Sequence, residues 1–237
     1  AGDVLFLADV TGGTSPRGLF LAHNGGAIEN IAKVGGAAPG GGTFAQVGHG
    51  SMNDLGTVVF VAKASVDSGP GIFQWSNGTL TKIAKPGTAA PGGGAYTILV
   101  GESLGFVDGT TIPVGPLPDI NNSGTICFRA LASCAVSRGI VIRTAAGVSS
   151  WAVKVNTATP LGGTFFDLQA AAINDAGAIE FFADVSLSGG QFTGGHFAGL
   201  PGNLHTAIAF YDPIDGGTVN GLAFSRNPMQ AIAPDGS

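Results

Sequence analysis

The residues with most chemical potential in this chain are three carboxylates, Asp9, Glu180 and Asp184, which fall in equivalent strand phrases. If a fold gathered such strands, two of these groups could flank a glycosidic bond, the arrangement that acid–base cleavage of a polysaccharide requires. Asp9 and Asp184 align with Lys63 and Leu131 at strand ends, so solvated rim charge is the simpler expectation. The histidines, His23, His49, His196 and His205, have no local metal-ligand spacing, and His23 reads as a polar turn residue. Asn53-Asp54, Asn121-Asn122 and Asn174-Asp175 resemble parts of an oxygen ring. Side chains of these types in turns more commonly hydrogen-bond their own backbone, and that is the expectation here. Asp212-Pro213-Ile214-Asp215-Gly216-Gly217 offers two carboxylates where calcium takes about six to eight oxygens, so it is read as a variant connector.

No His-Glu-x-x-His, Cys-x-x-Cys, phosphate-binding Gly-x-x-x-x-Gly-Lys or Gly-x-Ser-x-Gly phrase occurs. The sequence therefore assigns no catalytic residue, no cofactor and no metal ligand. Cys127 and Cys134 are seven residues apart; along one strand that is about 23 Å, where a disulfide needs Cα atoms within about 7 Å. Two small buried hydrophobes are expected unless the chain reverses between them.

These residues must be positioned by a chain of 237 residues with 44% hydrophobic and only 11% charged residues, 41 glycines and a net charge of −5. That composition excludes disorder and suits many short strands joined by Gly-rich turns. The ten Lys and Arg are scattered, which argues against a nucleic-acid partner, since phosphates need a basic stripe. No apolar run reaches the roughly 18 residues that span a bilayer, and no signal peptide is legible; a mature form that has lost one fits.

The strands are organised by a repeated phrase. Asn53-Asp54-Leu55-Gly56 precedes Thr57 to Ala62; Asn121-Asn122-Ser123-Gly124 precedes Thr125 to Ala130; Asn174-Asp175-Ala176-Gly177 precedes Ala178 to Ala183. A fourth copy is split between Ala233 to Ser237 and Gly2 to Ala8. The equivalent glycines, Gly2, Gly56, Gly124, Gly177 and Gly236, stand 54, 68, 53 and 59 residues apart. Each repeat carries further strand phrases, around Phe20, Phe73, Val141 and Phe197, then Ile31, Ile83, Trp151 and Thr206, and a strand opening at Thr43, Ala95, Thr164 or Thr218. Tight turns such as Asn77-Gly78 join neighbours. The Pro/Gly-rich connectors at 34–41, 86–93 and 155–162 read as extended crossings from one sheet to the next.

Four strands per unit, repeated around an axis, predict an all-β fold, a four-bladed β-propeller of antiparallel strands forming a single domain over 1–237. Its blades comprise approximately 218–237 with 2–33, 43–85, 95–154 and 164–210, the last-formed blade being closed by both termini. The second strand of each unit is apolar on both faces, so Phe6, Phe60, Phe128 and Phe181 are expected between blades.

With Ala37-Ala38-Pro39-Gly40-Gly41-Gly42-Thr43-Phe44 and Ala89 to Gly94, these phrases resemble a family of bacterial secreted repeat proteins of unknown function. The match is partial at Pro160 to Phe165 and lost at Asp212 to Gly217. The resemblance implies repeats and an extracellular bacterial location, and brings no catalytic residues. The leading functional expectation is a secreted non-enzymatic module, structural, adhesive or self-assembling, binding glycan, protein or its own copies. The alternative is a secreted polysaccharide hydrolase or lyase using paired carboxylates. The longest repeat holds an insertion over Gly101 to Asp119, read as lying between the first and second strands, where Glu102, Phe106 and Asp108 form the candidate binding residues.

Overall fold

A computed structural model describes residues 2–99, 104–107, 110–113, 117–133 and 138–222. The described residues form antiparallel β-sheets taken in chain order. The first holds β1 (Val4–Asp9), β2 (Arg17–Ala22) and β3 (Ile28–Lys33). The second holds β4 (Phe44–Met52), β5 (Val58–Ala64), β6 (Gly71–Ser76) and β7 (Thr79–Ala84). The third opens with β8 (Tyr96–Leu99), and a separate hairpin of β9 (Leu104–Val107) and β10 (Thr110–Pro113) follows. That sheet continues as β11 (Asp119–Ile120), β12 (Ile126–Ala132), β13 (Arg138–Arg143) and β14 (Ser149–Lys154). The fourth holds β15 (Thr164–Ile173), β16 (Ile179–Ser186), β17 (Phe192–Leu200) and β18 (Asn203–Ala209), and a short hairpin of β19 (Pro213–Ile214) and β20 (Gly217–Thr218) follows. Among the described residues no helix is long and apolar enough to cross a membrane.

The second strand of each full sheet is β-branched and aromatic, and it buries both faces. In β5, Val58, Phe60 and Ala62 pack toward the first sheet while Val59 packs toward the third. Three cores result, each between consecutive sheets. Leu19, Leu21 and Ile31 meet Phe44, Phe60 and Phe73; Val59 and Ile72 meet Tyr96, Phe128 and Val141; Ile140 and Val153 meet Phe165, Phe181 and Phe197. Phe60, Phe128 and Phe181 are buried as expected. Phe6 departs from the expectation: it is half-buried and stacks on Phe20 at 5.7 Å. Alternation along β1 turns Leu5 and Leu7 toward the second sheet and Phe6 away from it.

One glycine recurs for a steric reason. A Cβ at Gly71, Gly139 or Gly195 would lie 2.6, 2.4 or 2.7 Å from the carbonyl oxygen of the neighbouring strand, and the register of that strand pair shifts immediately afterwards.

Two boundary expectations are corrected. The connectors are not extended: Ala38 N–H donates to Gly42 O and Phe44 N–H to Gly36 O, because Gly40, Gly41 and Gly42 take φ of 81°, 105° and 72° and curl the segment back. The insertion does not follow the first strand but interrupts it, since β8 and β11 both pair with β12 on either side of it. Asp119 therefore belongs to the sheet. The candidate residues Glu102 and Asp108 lie outside the described residues, as do Cys134 and 223–237, and Phe106 lies on β9.

Candidate functional site

The first strands of successive sheets converge, and the Asn-x-x-Gly turns that end them meet at one end of the molecule. Each leading asparagine closes its own turn: Asn53 Oδ1 accepts from Leu55 N and Thr57 N at 3.1 and 2.9 Å, Asn121 Oδ1 from Thr125 N and Asn174 Oδ1 from Ala178 N, both at 2.9 Å. This is the expected backbone capping. The other side-chain atoms go further. Asn53 Nδ2 donates to Asn121 O at 3.0 Å and Asn121 Nδ2 to Asn174 O at 2.9 Å, so each turn is tied to the next sheet. At the following position Asn122 Nδ2 donates to Asp54 Oδ2 and to Asp175 Oδ2, each at 2.8 Å. An amide between two carboxylates supplies both donors without adding a third like charge. The oxygen ring is thus an acid–amide–acid ladder.

Beneath it, Ser51 Oγ donates to Pro118 O at 3.1 Å, and Ile173 N donates to Asp119 Oδ2 at 2.9 Å. Asp119 is buried, and burial pushes its carboxyl above the usual range.

Beside the ladder the gap between the second and third sheets opens into a cleft of about 370 Å³. The apolar core below ends at Val59 and Ile126; above it the same two sheet faces turn polar. Gln74 and Thr81, cross-strand partners on β6 and β7, line one wall. Arg143, paired with Ile126 across β12 and β13, lines the other, with Leu55 at the mouth and Ile83 and Ile126 supplying apolar surface. Arg143 Nη1 donates to Gly147 O at 2.8 Å, which fixes the guanidinium on the β13–β14 turn. Gln74 shares its face with Ile72, and Arg143 with Val141. Sequence reasoning did not single these residues out. The signal available was a polar residue at the period-two position where the strand otherwise buries aliphatics.

The carboxylates weighed at the outset have separate partners. Asp9 receives Arg17 Nε and Nη2 at 2.6 and 2.8 Å, and those bonds lower its pKa. Glu180 contacts His196 Nδ1. Asp184 sits opposite Asp167 in the β15–β16 register; burial, then the Asp167 charge, raises its pKa. Burial would raise Asp167 too, but Arg138 at 2.8 Å and Arg129 at 3.1 Å more than offset it and hold the carboxyl low. His23 bridges Asp3 at 3.0 Å and Glu29 at 3.3 Å, bonds that raise its pKa. Asp212 Oδ2 accepts from Ala209 N at 2.8 Å inside its connector. Cys127 is a buried free thiol, its pKa well raised by burial, and its Sγ donates to Ala171 O.

The fold and site define an all-β chain of stacked antiparallel sheets with a polar cleft at one end. It belongs to the family of unknown function DUF7453, which matches residues 1–71 and 64–231. No curated protein matches the chain. It is similar to an X-ray structure described as a "putative gluconolactonase", with 12% identity, a TM-score of 0.38, and coverage of 87% of this chain and 70% of that one. At that score and identity neither fold nor chemistry transfers.

Proposed function

We propose that the chain is a non-enzymatic extracellular binding module, a four-bladed β-propeller of adhesive role that takes saccharide in the cleft between its second and third sheets. The observation that carries the binding role is the lining of that cleft. Gln74 and Thr81 face Arg143 over aliphatic surface, and among the described residues the side chains of Gln74 and Thr81 have no hydrogen-bond partner of their own. Saccharides present hydroxyls that donate and accept together with an apolar C–H face; an amide, a hydroxyl and a guanidinium beside Leu55, Ile83 and Ile126 match both. Four blades are supported by the convergence of the first strands and by aromatic surfaces on the two outward faces, Phe6 with Phe20 on one and Phe182 with Phe210 on the other. The connector geometry supports a further strand after β20: Val219 N donates to Asp212 O and Tyr211 N to Val219 O, as Phe44 and Tyr96 do in theirs, and Val219 is buried. The extracellular location rests on the low charge of the chain.

The rival, a polysaccharide hydrolase or lyase, draws on Asp167 and Asp184, neighbouring carboxyls pushed in opposite directions. Two guanidinium groups already hold Asp167, which favours a structural role between the third and fourth sheets. Titrating the isotope-labelled chain with neutral and acidic oligosaccharides, followed by amide shifts, tests the proposal. Shifts confined to Thr57, Gln74, Thr81 and the 143–145 turn are expected. Cleavage of any polysaccharide that is lost in Asp184→Asn would establish the rival instead, and shifts that depend only on protein concentration would establish self-association.

A further inference from the structure

We infer that the saccharide recognised in this cleft is acidic, a uronate-type sugar whose carboxylate is fixed by Arg143; the inference rests on the saccharide reading above. Of the four arginines among the described residues, Arg17 pairs with Asp9, and Arg129 and Arg138 pair with Asp167. Arg143 pairs with no carboxylate among the described residues, although the chain carries 15 Asp and Glu against 10 Lys and Arg. Among the described residues the cleft lining contains no Asp or Glu, and Arg143 is its one cation. A guanidinium with no carboxylate partner, set in a concave site, attracts an anionic group, while Asp54 and Asp175 beside the cleft are engaged by Asn122.

The guanidinium is also pre-positioned. Its Nη1 is engaged with Gly147 O at 2.8 Å and lies 3.5 Å from Ser149 Oγ, which leaves Nε and Nη2, whose planar geometry matches a carboxylate bidentately. Below it, the Tyr96 hydroxyl is buried beside Ser149 without a hydrogen bond of full geometry. A phenol is neutral near pH 7 and adds no charge opposite Arg143; burial pushes this one up to about 12. Across the cleft Gln74 and Thr81 are neutral and suit the hydroxyls of the same ring. The volume, about 370 Å³, lies at the small end of the range for small-ligand sites, which suits one or two sugar units and not a long chain segment.

The test is calorimetric titration of the full chain with three probes matched in length: an oligogalacturonate, the neutral oligogalactoside, and a sulfated oligogalactoside. The oligogalacturonate should bind about tenfold tighter than the neutral sugar, a preference that shrinks as salt is raised. Arg143→Lys should reduce uronate affinity by about threefold, and Arg143→Gln should erase the preference, so that uronate and neutral sugar bind that variant alike. Gln74→Leu should weaken both. Because Arg143 also secures its turn, thermal melts accompany each variant; if Arg143→Gln melts early, the Lys variant and the salt dependence decide. Equal affinity for uronate and neutral sugar, with Gln74→Leu weakening both, overturns the acidic-sugar inference and leaves the saccharide reading standing. Preference for the sulfated probe over the uronate also overturns it. Absence of binding by all three removes both readings together.

Discussion

Asp119 is held where the first strands of three sheets meet, and its ionisation sets a stability window. A carboxyl whose folded-state pKa lies above its unfolded value binds its proton more tightly in the native protein. Its contribution is therefore most favourable below the unfolded value near 3.8 and declines as pH rises through the folded value. Asp119→Asn keeps an acceptor for Ile173 N–H and removes the buried charge. Its melting midpoint at pH 7 should equal or exceed that of the parent, with a flatter acid-side profile. Asp119→Ala leaves that N–H unpaired and should cost about 1–3 kcal/mol. A large loss in the Asn variant would mean that the negative charge itself is required. His23 works in the same sense at higher pH: its raised pKa gives stability below about 6.5 that is lost as pH rises through the folded value, and His23→Gln should abolish that slope in pH-dependent melts.

The Asn-x-x-Gly turn, as an element, does two jobs with one side chain, and they separate experimentally. Asn121→Asp retains the Oδ1 that accepts from Thr125 N but replaces the Nδ2 donor with an oxygen facing Asn174 O. The variant should lose roughly 1–3 kcal/mol in chemical denaturation, from the lost donor and the repulsion between the new carboxylate and Asn174 O, which keeps its bond from Gly177 N. An unchanged midpoint would show that the inter-turn ladder does not hold the sheets together. The insertion is a separable element because β8 and β11 pair with β12 independently of it. Replacing residues 100–117 with a short Gly-Ser turn, while keeping Asp119 and Ile120, should preserve the melt. Weakened saccharide binding or self-association would give Glu102, Phe106 and Asp108 a role; unchanged titration and sizing profiles would remove it.

For the whole molecule, the proposed four-bladed ring needs residues 218–237 to complete the first sheet, which has three strands among the described residues. Deleting Thr218 to Ser237 should expose both outward faces, with Phe6, Phe20, Phe182 and Phe210, and abolish the cooperative thermal transition. A truncated chain that melts cooperatively at the parent temperature would refute closure through the last strand.

What the amino-acid sequence by itself determined is local. The positive-φ glycines, the Asn-Gly turn at Asn77 and Gly78, the backbone-capping asparagines and the doubly apolar second strands follow from interactions within a few residues, and each occurs where the sequence places it. The tertiary structure alone decided the rest. Asn122 reaches Asp54 and Asp175 across sequence separations of 68 and 53 residues, and Gln74 comes to face Arg143 because two sheets stack. Such pairings depend on which sheet faces meet and how far each strand runs before its turn, and no local preference encodes either. The same holds for Asp119: by composition it closes a Pro-rich insertion, yet pairing with Cys127 across β11 and β12 draws it into the buried centre. That pairing is a hairpin closed within eight residues; the contact that no local signal encodes is Ile173 N–H, which reaches the Asp119 carboxyl from β15 across 54 residues and satisfies a buried backbone donor.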